Sequence, residues 1–229
     1  MIRPAVEAVN VWKSFLLGEI EVEVLKNINI TIKSGEFVSI MGPSGSGKST
    51  LLYLIGGLDK PTSGNIKING KELSNMQDEE ESLLRRRDLG FVFQFYNLIP
   101  NLNVAENVML PVLLDGKKLK NEERKLDQIL EDVGLTDRRY HTPRELSGGQ
   151  QQRVAIARAL INEPDIILAD EPIGNLDSKT GTEIMKLLKR INQERGKTII
   201  QVTHSEEAAA YGDRIIHVRD GKVWDDNEN

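Results

Sequence analysis

Gly42-Pro43-Ser44-Gly45-Ser46-Gly47-Lys48-Ser49-Thr50 is a complete G-x-x-x-x-G-K-[S/T] loop. The run before it, Phe37-Val38-Ser39-Ile40-Met41, is apolar and β-prone. The run after it, Leu51-Leu52-Tyr53-Leu54-Ile55, is apolar at a spacing that suits a helix. The loop therefore lies between a strand and a helix N-terminus, the context in which it holds phosphate. Glycines let successive backbone N–H groups turn inward, and the helix end adds partial positive charge. The ligand expected is a nucleoside triphosphate, held by Gly42, Ser44, Gly45, Ser46, Gly47, Lys48, Ser49 and Thr50. Lys48 is assigned to the β- and γ-phosphates and the Ser49 hydroxyl to Mg²⁺. A Gly/Ser-rich turn with an incidental lysine is the alternative, and the flanking strand and helix argue against it.

Composition bounds the remaining possibilities. At 229 residues, 39% hydrophobic and 28% charged, the chain is an ordinary globular one, long enough for a substantial core in one domain or a domain with a lobe. It has no cysteine, so disulfides, thiolate metal sites and cysteine nucleophiles are excluded. No apolar run approaches the roughly 18 residues that span a bilayer, and Met1-Ile2-Arg3-Pro4-Ala5 does not read as a signal peptide. The formal net charge of -5 argues against a general nucleic-acid binder.

Strand signals cover Ala5–Val11, Val22–Lys33, Phe37–Met41 and Gly64–Asn69. Asn69-Gly70 is hairpin chemistry, although Lys71-Glu72-Leu73-Ser74 is not an obvious strand. Met76–Leu89 is charged and helix-compatible, and Gly90–Gln94 reads as a short buried strand. From Val104 to about Ala159 the pattern is helical, with breaks expected at Pro111, Gly134 and Pro143. The last third alternates Ile166–Ala169, Ser178–Arg195, Thr198–Thr203, Ser205–Tyr211 and Arg214–Arg219, which predicts a parallel sheet. Asp220-Gly221 reads as a final hairpin turn, and the polar tail Asp225–Asn229 is expected to fray.

A second anion-binding pattern lies at Leu146-Ser147-Gly148-Gly149-Gln150, just before a clear helix, Gln151–Leu160. Alone it could be no more than a helix cap. Downstream, the apolar strand Ile166-Ile167-Leu168-Ala169 ends in Asp170 and Glu171. A carboxylate at that strand end would hold Mg²⁺ near the phosphates, and Glu171 could polarise an attacking water as general base.

With these residues in order, the chain resembles the nucleotide-binding subunits of ATP-binding-cassette (ABC) transporters over essentially its whole length. Gly42–Thr50 matches the Walker A loop and Gln94, after Phe91-Val92-Phe93, the Q-loop. Leu146–Gln150 matches the family signature, and Asp170 with Glu171 matches Walker B and its catalytic glutamate. Asn175-Leu176-Asp177 matches the D-loop and His204 the switch histidine. Phe15 aligns with the aromatic that stacks on adenine, with Trp12 as the competing position.

The resemblance implies an α/β P-loop NTPase with a mixed/parallel core sheet, an N-terminal antiparallel β subdomain and a helical signature subdomain. It implies one ABC ATPase domain over 1–229, with a core of 1–94 plus 161–229 and a helical lobe of 95–160. ATP and Mg²⁺ are the implied cofactors. Glu171, His204 and Gln94 are the implied catalytic residues, and Ser49, Gln94 and Asp170 the metal-contacting ones. A head-to-tail homodimer is implied, each ATP completed by Ser147, Gly148, Gly149, Gln150 and Asp177 of the partner subunit. The other partner is an integral membrane permease, with the chain cytoplasmic and peripheral on the inner membrane face.

Phe93–Pro100, Gln150–Arg153 and Leu176–Gly181 look like the macrolide-exporter and lipoprotein-release branch. Pro172-Ile173-Gly174 departs from the usual Pro-Thr-Gly. Tyr96, Leu98 and Ile99 belong either to a permease-docking groove or to the core. A non-transport ABC ATPase acting on DNA or ribosomes is the alternative, although such proteins usually carry insertions or a second cassette. A third reading, a module that binds ATP without turnover, conflicts with the presence of Glu171 and His204.

Overall fold

The computed structural model describes residues 4–225. Two long strands, β1 (Pro4–Leu17) and β2 (Ile20–Lys33), form a hairpin. β1 also pairs antiparallel with β4 (Ser63–Ile68), and β4 with the two-residue β5 (Lys71–Glu72). Asn69 and Gly70 at φ 50° and 79° make the tight turn that their chemistry predicts. Lys71-Glu72, ambiguous as sequence, is therefore a short edge strand. The sheet order is β2-β1-β4-β5.

The second sheet contains β3 (Phe37–Met41), β6 (Leu89–Val92), β7 (Ile166–Asp170), β8 (Thr198–Thr203), β9 (Arg214–Arg219) and β10 (Lys222–Asp225), in the order β10-β9-β3-β8-β7-β6. β9, β3, β8, β7 and β6 run parallel. β10 closes an antiparallel edge through Asp220-Gly221, at φ 52° and 77°. Both faces of this sheet are covered, and the period of two divides its side chains between two clusters. Ile167, Ala169 and Ile199 join the cluster under α5 (Gly148–Leu160) and α6 (Ser178–Arg195). Ile166, Leu168, Ile200 and Val202 join the cluster under α1 (Lys48–Ile55) and the antiparallel sheet.

α2 (Asp78–Arg87) starts at a Gln77–Glu80 capping box, inside the charged stretch read as helical. Pro111 does not end a helix, contrary to expectation: α3 (Val104–Leu114) runs through it. An interior proline costs about 3 kcal/mol. Burial of Val104, Val108, Met109 and Val112 offsets this at about 1.5–3 kcal/mol per side chain. α4 (Glu123–Asp132) ends before Gly134, and Pro143 starts a short 3₁₀ turn. α7 is limited to Glu206–Ala209, because the chain tightens into i→i+3 hydrogen bonds at Tyr211 and Gly212. The tail beyond residue 225 lies outside the described residues.

Candidate nucleotide site

The phosphate loop joins β3 to α1. Two glycines in it have no substitute. Gly42 sits at φ 154°, and a Cβ there would lie 2.0 Å from the Val218 carbonyl oxygen. Gly47 sits at φ 100°, with a Cβ position 2.7 Å from Leu25 Cδ2. Lys48 is buried, and its Nζ donates to the Pro43 carbonyl at 2.9 Å. Among the described residues it forms no ion pair, so its charge is held ready by the loop's own backbone. Ser46 Oγ is buried and has no hydrogen-bond partner among the described residues. Cation, helix N-terminus and unmet polar atom together suit a bound anion.

Ser44, Gly45, Gly47, Lys48, Ser49 and Thr50 line a cleft of about 380 Å³ with Val24, Glu171 and His204. Asp170 ends β7 beside it. Ser49 Oγ donates to Asp170 Oδ1 at 2.9 Å, and Tyr53 Oη donates to Asp170 Oδ2 at 2.7 Å. Burial first, then the hydrogen bond to Asp170, pushes the Tyr53 phenol up to about 12, so it remains a donor at neutral pH. Among the described residues no group of three or more His, Asp or Glu side chains could hold a metal alone. The adjacent hydroxyl and carboxylate are nonetheless hard oxygen donors. They fit Mg²⁺, which is commonly held by one or two protein oxygens together with phosphate and water.

Glu171 adopts φ 46°, a left-handed conformation that costs a non-glycine residue about 1–3 kcal/mol. Its N–H donates to the Val202 carbonyl at 2.9 Å. Its Oε1 lies 2.8 Å from His204 Nδ1. With the carboxylate accepting, Nδ1 carries the proton. The Glu171 side chain is 16% exposed and that of His204 70%, so the histidine reaches outward from a sheltered carboxylate.

Among the described residues no hydrogen bond joins Gln94 to Ser49 or Asp170. Its Nε2 donates to Asn175 Oδ1 at 3.4 Å, while Asn175 Nδ2 donates to the Gln94 carbonyl at 2.9 Å. Gly174 leaves the room: a Cβ there would lie 2.9 Å from Gln94 Nε2. The Q-loop and D-loop are thus tied to each other.

The signature residues also lie outside the cleft lining. Ser147 caps α5, accepting from the Gln150 N–H at 3.3 Å, and Gln150 Oε1 accepts from the Ser147 N–H at 2.9 Å. The glycines are packing positions. A Cβ on Gly149 would lie 2.3 Å from Thr180 Cγ2, and one on Gly148 3.0 Å from Tyr96 Oη. Asp177 caps α6 and accepts from the Thr180 hydroxyl and N–H. Those bonds hold its carboxyl below the usual range. Ile173, the departure from the usual threonine, packs on Gly181 of α6, whose Cβ position lies 3.5 Å from it.

Phe15 pairs across the hairpin with Val22, two residues along β2 from the cleft-lining Val24. The residue is 40% exposed, with Lys13 Nζ 4.7 Å from the ring centroid. Trp12 instead pairs with Ser63 of β4. Sequence reading missed Tyr53. Its position four residues after Ser49, on the same face of α1, was the available signal. It also missed Gln152, buried on α5, whose Nε2 donates to the Pro172 carbonyl at 2.5 Å and so links α5 to the residue after Glu171.

A phosphate loop on β3-α1, a carboxylate ending β7 with a second just after it, and a histidine after β8 define a P-loop nucleoside-triphosphatase of cassette type. The chain belongs to the ATP-binding proteins of the ABC transporter family, whose model, described as "ABC transporter", matches residues 25–174. An uncharacterized ABC transporter ATP-binding protein of Thermotoga maritima is 51% identical over 97% of this chain and 94% of its own length. The lipoprotein-releasing system ATP-binding protein LolD of Geobacter metallireducens is 45% identical over 95% of this chain and 96% of its own. The macrolide export ATP-binding/permease protein MacB of Bdellovibrio bacteriovorus is 47% identical over 93% of this chain, but only 32% of that longer protein is covered. Among solved structures, the dimeric post-hydrolysis state of the ATP-binding cassette MJ0796 of Methanocaldococcus jannaschii, bound to ADP and Pi, superimposes with TM-score 0.87. It is 50% identical over 95% of this chain and 96% of that one.

Proposed function

We propose that this ABC ATPase hydrolyses ATP in a head-to-tail homodimer and drives a separate membrane permease of the macrolide-export or lipoprotein-release type. The observation that carries this reading is a division within the chain. Lys48, Ser49, Glu171 and His204 line one cleft, with Asp170 bonded to Ser49 beside it, while the capped N-terminus of α5 at Ser147–Gln150 lies outside the lining. An anion site that does not face its own chain's phosphates can complete those of a second copy. Ser147, Gly148, Gly149, Gln150 and Asp177 are the residues assigned to that contribution.

In the loaded site the α1 N-terminus and Lys48 neutralise phosphate charge. Ser49 and Asp170 would hold Mg²⁺, which supplies charge neutralisation between phosphates. Glu171 would accept a proton from the attacking water, and His204, hydrogen-bonded to it, would reach the γ-phosphate. Gln94 takes part only after leaving Asn175, which makes the Q-loop a natural point of coupling between the core and a helical lobe assigned to 95–160.

The permease surface is assigned to a groove of about 350 Å³ beside the Q-loop, among Arg85, Phe91, Phe93, Leu110, Leu114 and Arg158. Of the residues read as groove or core, Leu98 packs against the core and Ile99 is 43% exposed at the surface. No helix among the described residues is long and apolar enough to cross a membrane. Docking on a permease would hold the chain on the cytoplasmic face.

The homodimer makes ATPase activity second order in protein. The rate per chain is expected to rise with protein concentration and to plateau. A rate per chain that stays at its plateau value at dilutions where sedimentation in MgATP finds only monomer would show that one chain forms a complete site. Adenine stacking is assigned to Phe15. Phe15→Ala is expected to weaken ATP binding roughly tenfold, in line with about 1–3 kcal/mol per stacked base. Trp12→Ala should leave it nearly unchanged, and titration with a fluorescent ATP analogue distinguishes the two.

A further inference from the structure

We infer that Tyr53 is a positioning residue for the divalent cation, acting by fixing the Asp170 carboxylate. The inference rests on the assignment of Ser49 and Asp170 to Mg²⁺. Ser49 and Tyr53 are four residues apart on α1 and so lie on one face of that helix. Each donates a hydroxyl hydrogen bond to a different oxygen of Asp170, Ser49 to Oδ1 and Tyr53 to Oδ2. The two bonds are not equivalent. Ser49 is itself assigned to the cation through a lone pair of its hydroxyl oxygen, whereas Tyr53 contacts only the carboxylate, at Oδ2. The phenol then sets the rotation of the carboxylate and leaves Oδ1 turned toward the phosphate loop. Without it, the carboxylate must be ordered at the moment the cation binds, which weakens binding.

Tyr53 is well suited to this. It stands on the same rigid helix that opens with Lys48 and Ser49, so one element carries the phosphate-binding lysine, the metal-contacting hydroxyl and the support for the opposing carboxylate. Hydrogen-bonded partners of metal ligands commonly change metal affinity by about 10- to 100-fold when removed. A bond from a neutral phenol to a charged carboxylate falls at the lower end of that range.

The test uses the full chain with ADP and follows Mn²⁺ by loss of its free electron-paramagnetic signal. Tyr53→Phe removes the hydroxyl and keeps the ring. It is expected to weaken Mn²⁺ binding about tenfold while ADP binding in EDTA stays within about twofold of the parent. Tyr53→Gln, which restores a donor, should recover part of the lost affinity and also serves if the Phe variant folds poorly. Unchanged Mn²⁺ affinity in Tyr53→Phe overturns the inference. So does an equal loss of metal-free ADP binding, which would mean only that the loop had been disturbed. Asp170→Asn separates the two levels. If it loses Mn²⁺ and Tyr53→Phe does not, the metal site stands and the role of Tyr53 falls. If Asp170→Asn binds Mn²⁺ like the parent, the metal assignment itself is wrong.

Discussion

Glu171→Gln is expected to bind ATP with parental affinity, hydrolyse it at least a hundredfold more slowly, and accumulate as a dimer in MgATP. The amide keeps the size of the side chain and can still hydrogen-bond to His204, so the left-handed backbone at Glu171 and its bond to Val202 need not change. What is lost is a basic carboxylate, and a positioned general base contributes about 10²–10⁴-fold. In the proposed dimer ATP bridges the two chains, and with its γ-phosphate no longer cleaved the closed state persists. Equilibrium sedimentation with MgATP and with MgADP reads this directly. A variant that stays monomeric in MgATP would refute the head-to-tail arrangement. One that hydrolyses at the parental rate would remove Glu171 from the chemistry.

Lys48→Ala is expected to weaken ATP by about 2–3 kcal/mol, roughly 30- to 150-fold in Kd. Lys48 is buried, bonded only to the Pro43 carbonyl among the described residues, and aimed into a cleft with few other cations. Its removal takes away a charge-assisted bond to phosphate and leaves the Pro43 carbonyl without that donor. The helix N-terminus and loop N–H groups remain, so binding weakens without vanishing. The loss should be smaller for AMP, which lacks the β- and γ-phosphates, and isothermal titration of ATP, ADP and AMP gives the comparison. Equal losses for all three would place the lysine elsewhere.

Much of the site was legible because its signals are local. A glycine-rich loop between an apolar strand and an apolar helix has few conformations open to it, and an apolar strand followed by Asp170-Glu171 places carboxylates at the C-terminal end of a sheet strand. The turns Asn69-Gly70 and Asp220-Gly221 were readable for the same reason, since left-handed φ values select these residue types. Pro111 misled because local propensity counts the lost hydrogen bond but not the four buried apolar side chains of α3. The Gln94 side chain hydrogen-bonds Asn175, far along the chain, and nothing near Gln94 signals that partner.

The sequence by itself determined the ligand class, the order of the catalytic elements and the ABC ATPase family, since each depends on residue types at short spacing. Only the tertiary structure decided which of those elements share one cleft. Asp170 meets Ser49 and Tyr53 across 121 and 117 residues, and it does so because β8 lies between β3 and β7 in the parallel sheet. The same packing seats Gly149 against Thr180 and leaves the α5 N-terminus outside the cleft of its own chain. Strand order and helix packing set such distances through long-range burial, and no short stretch of chain encodes them.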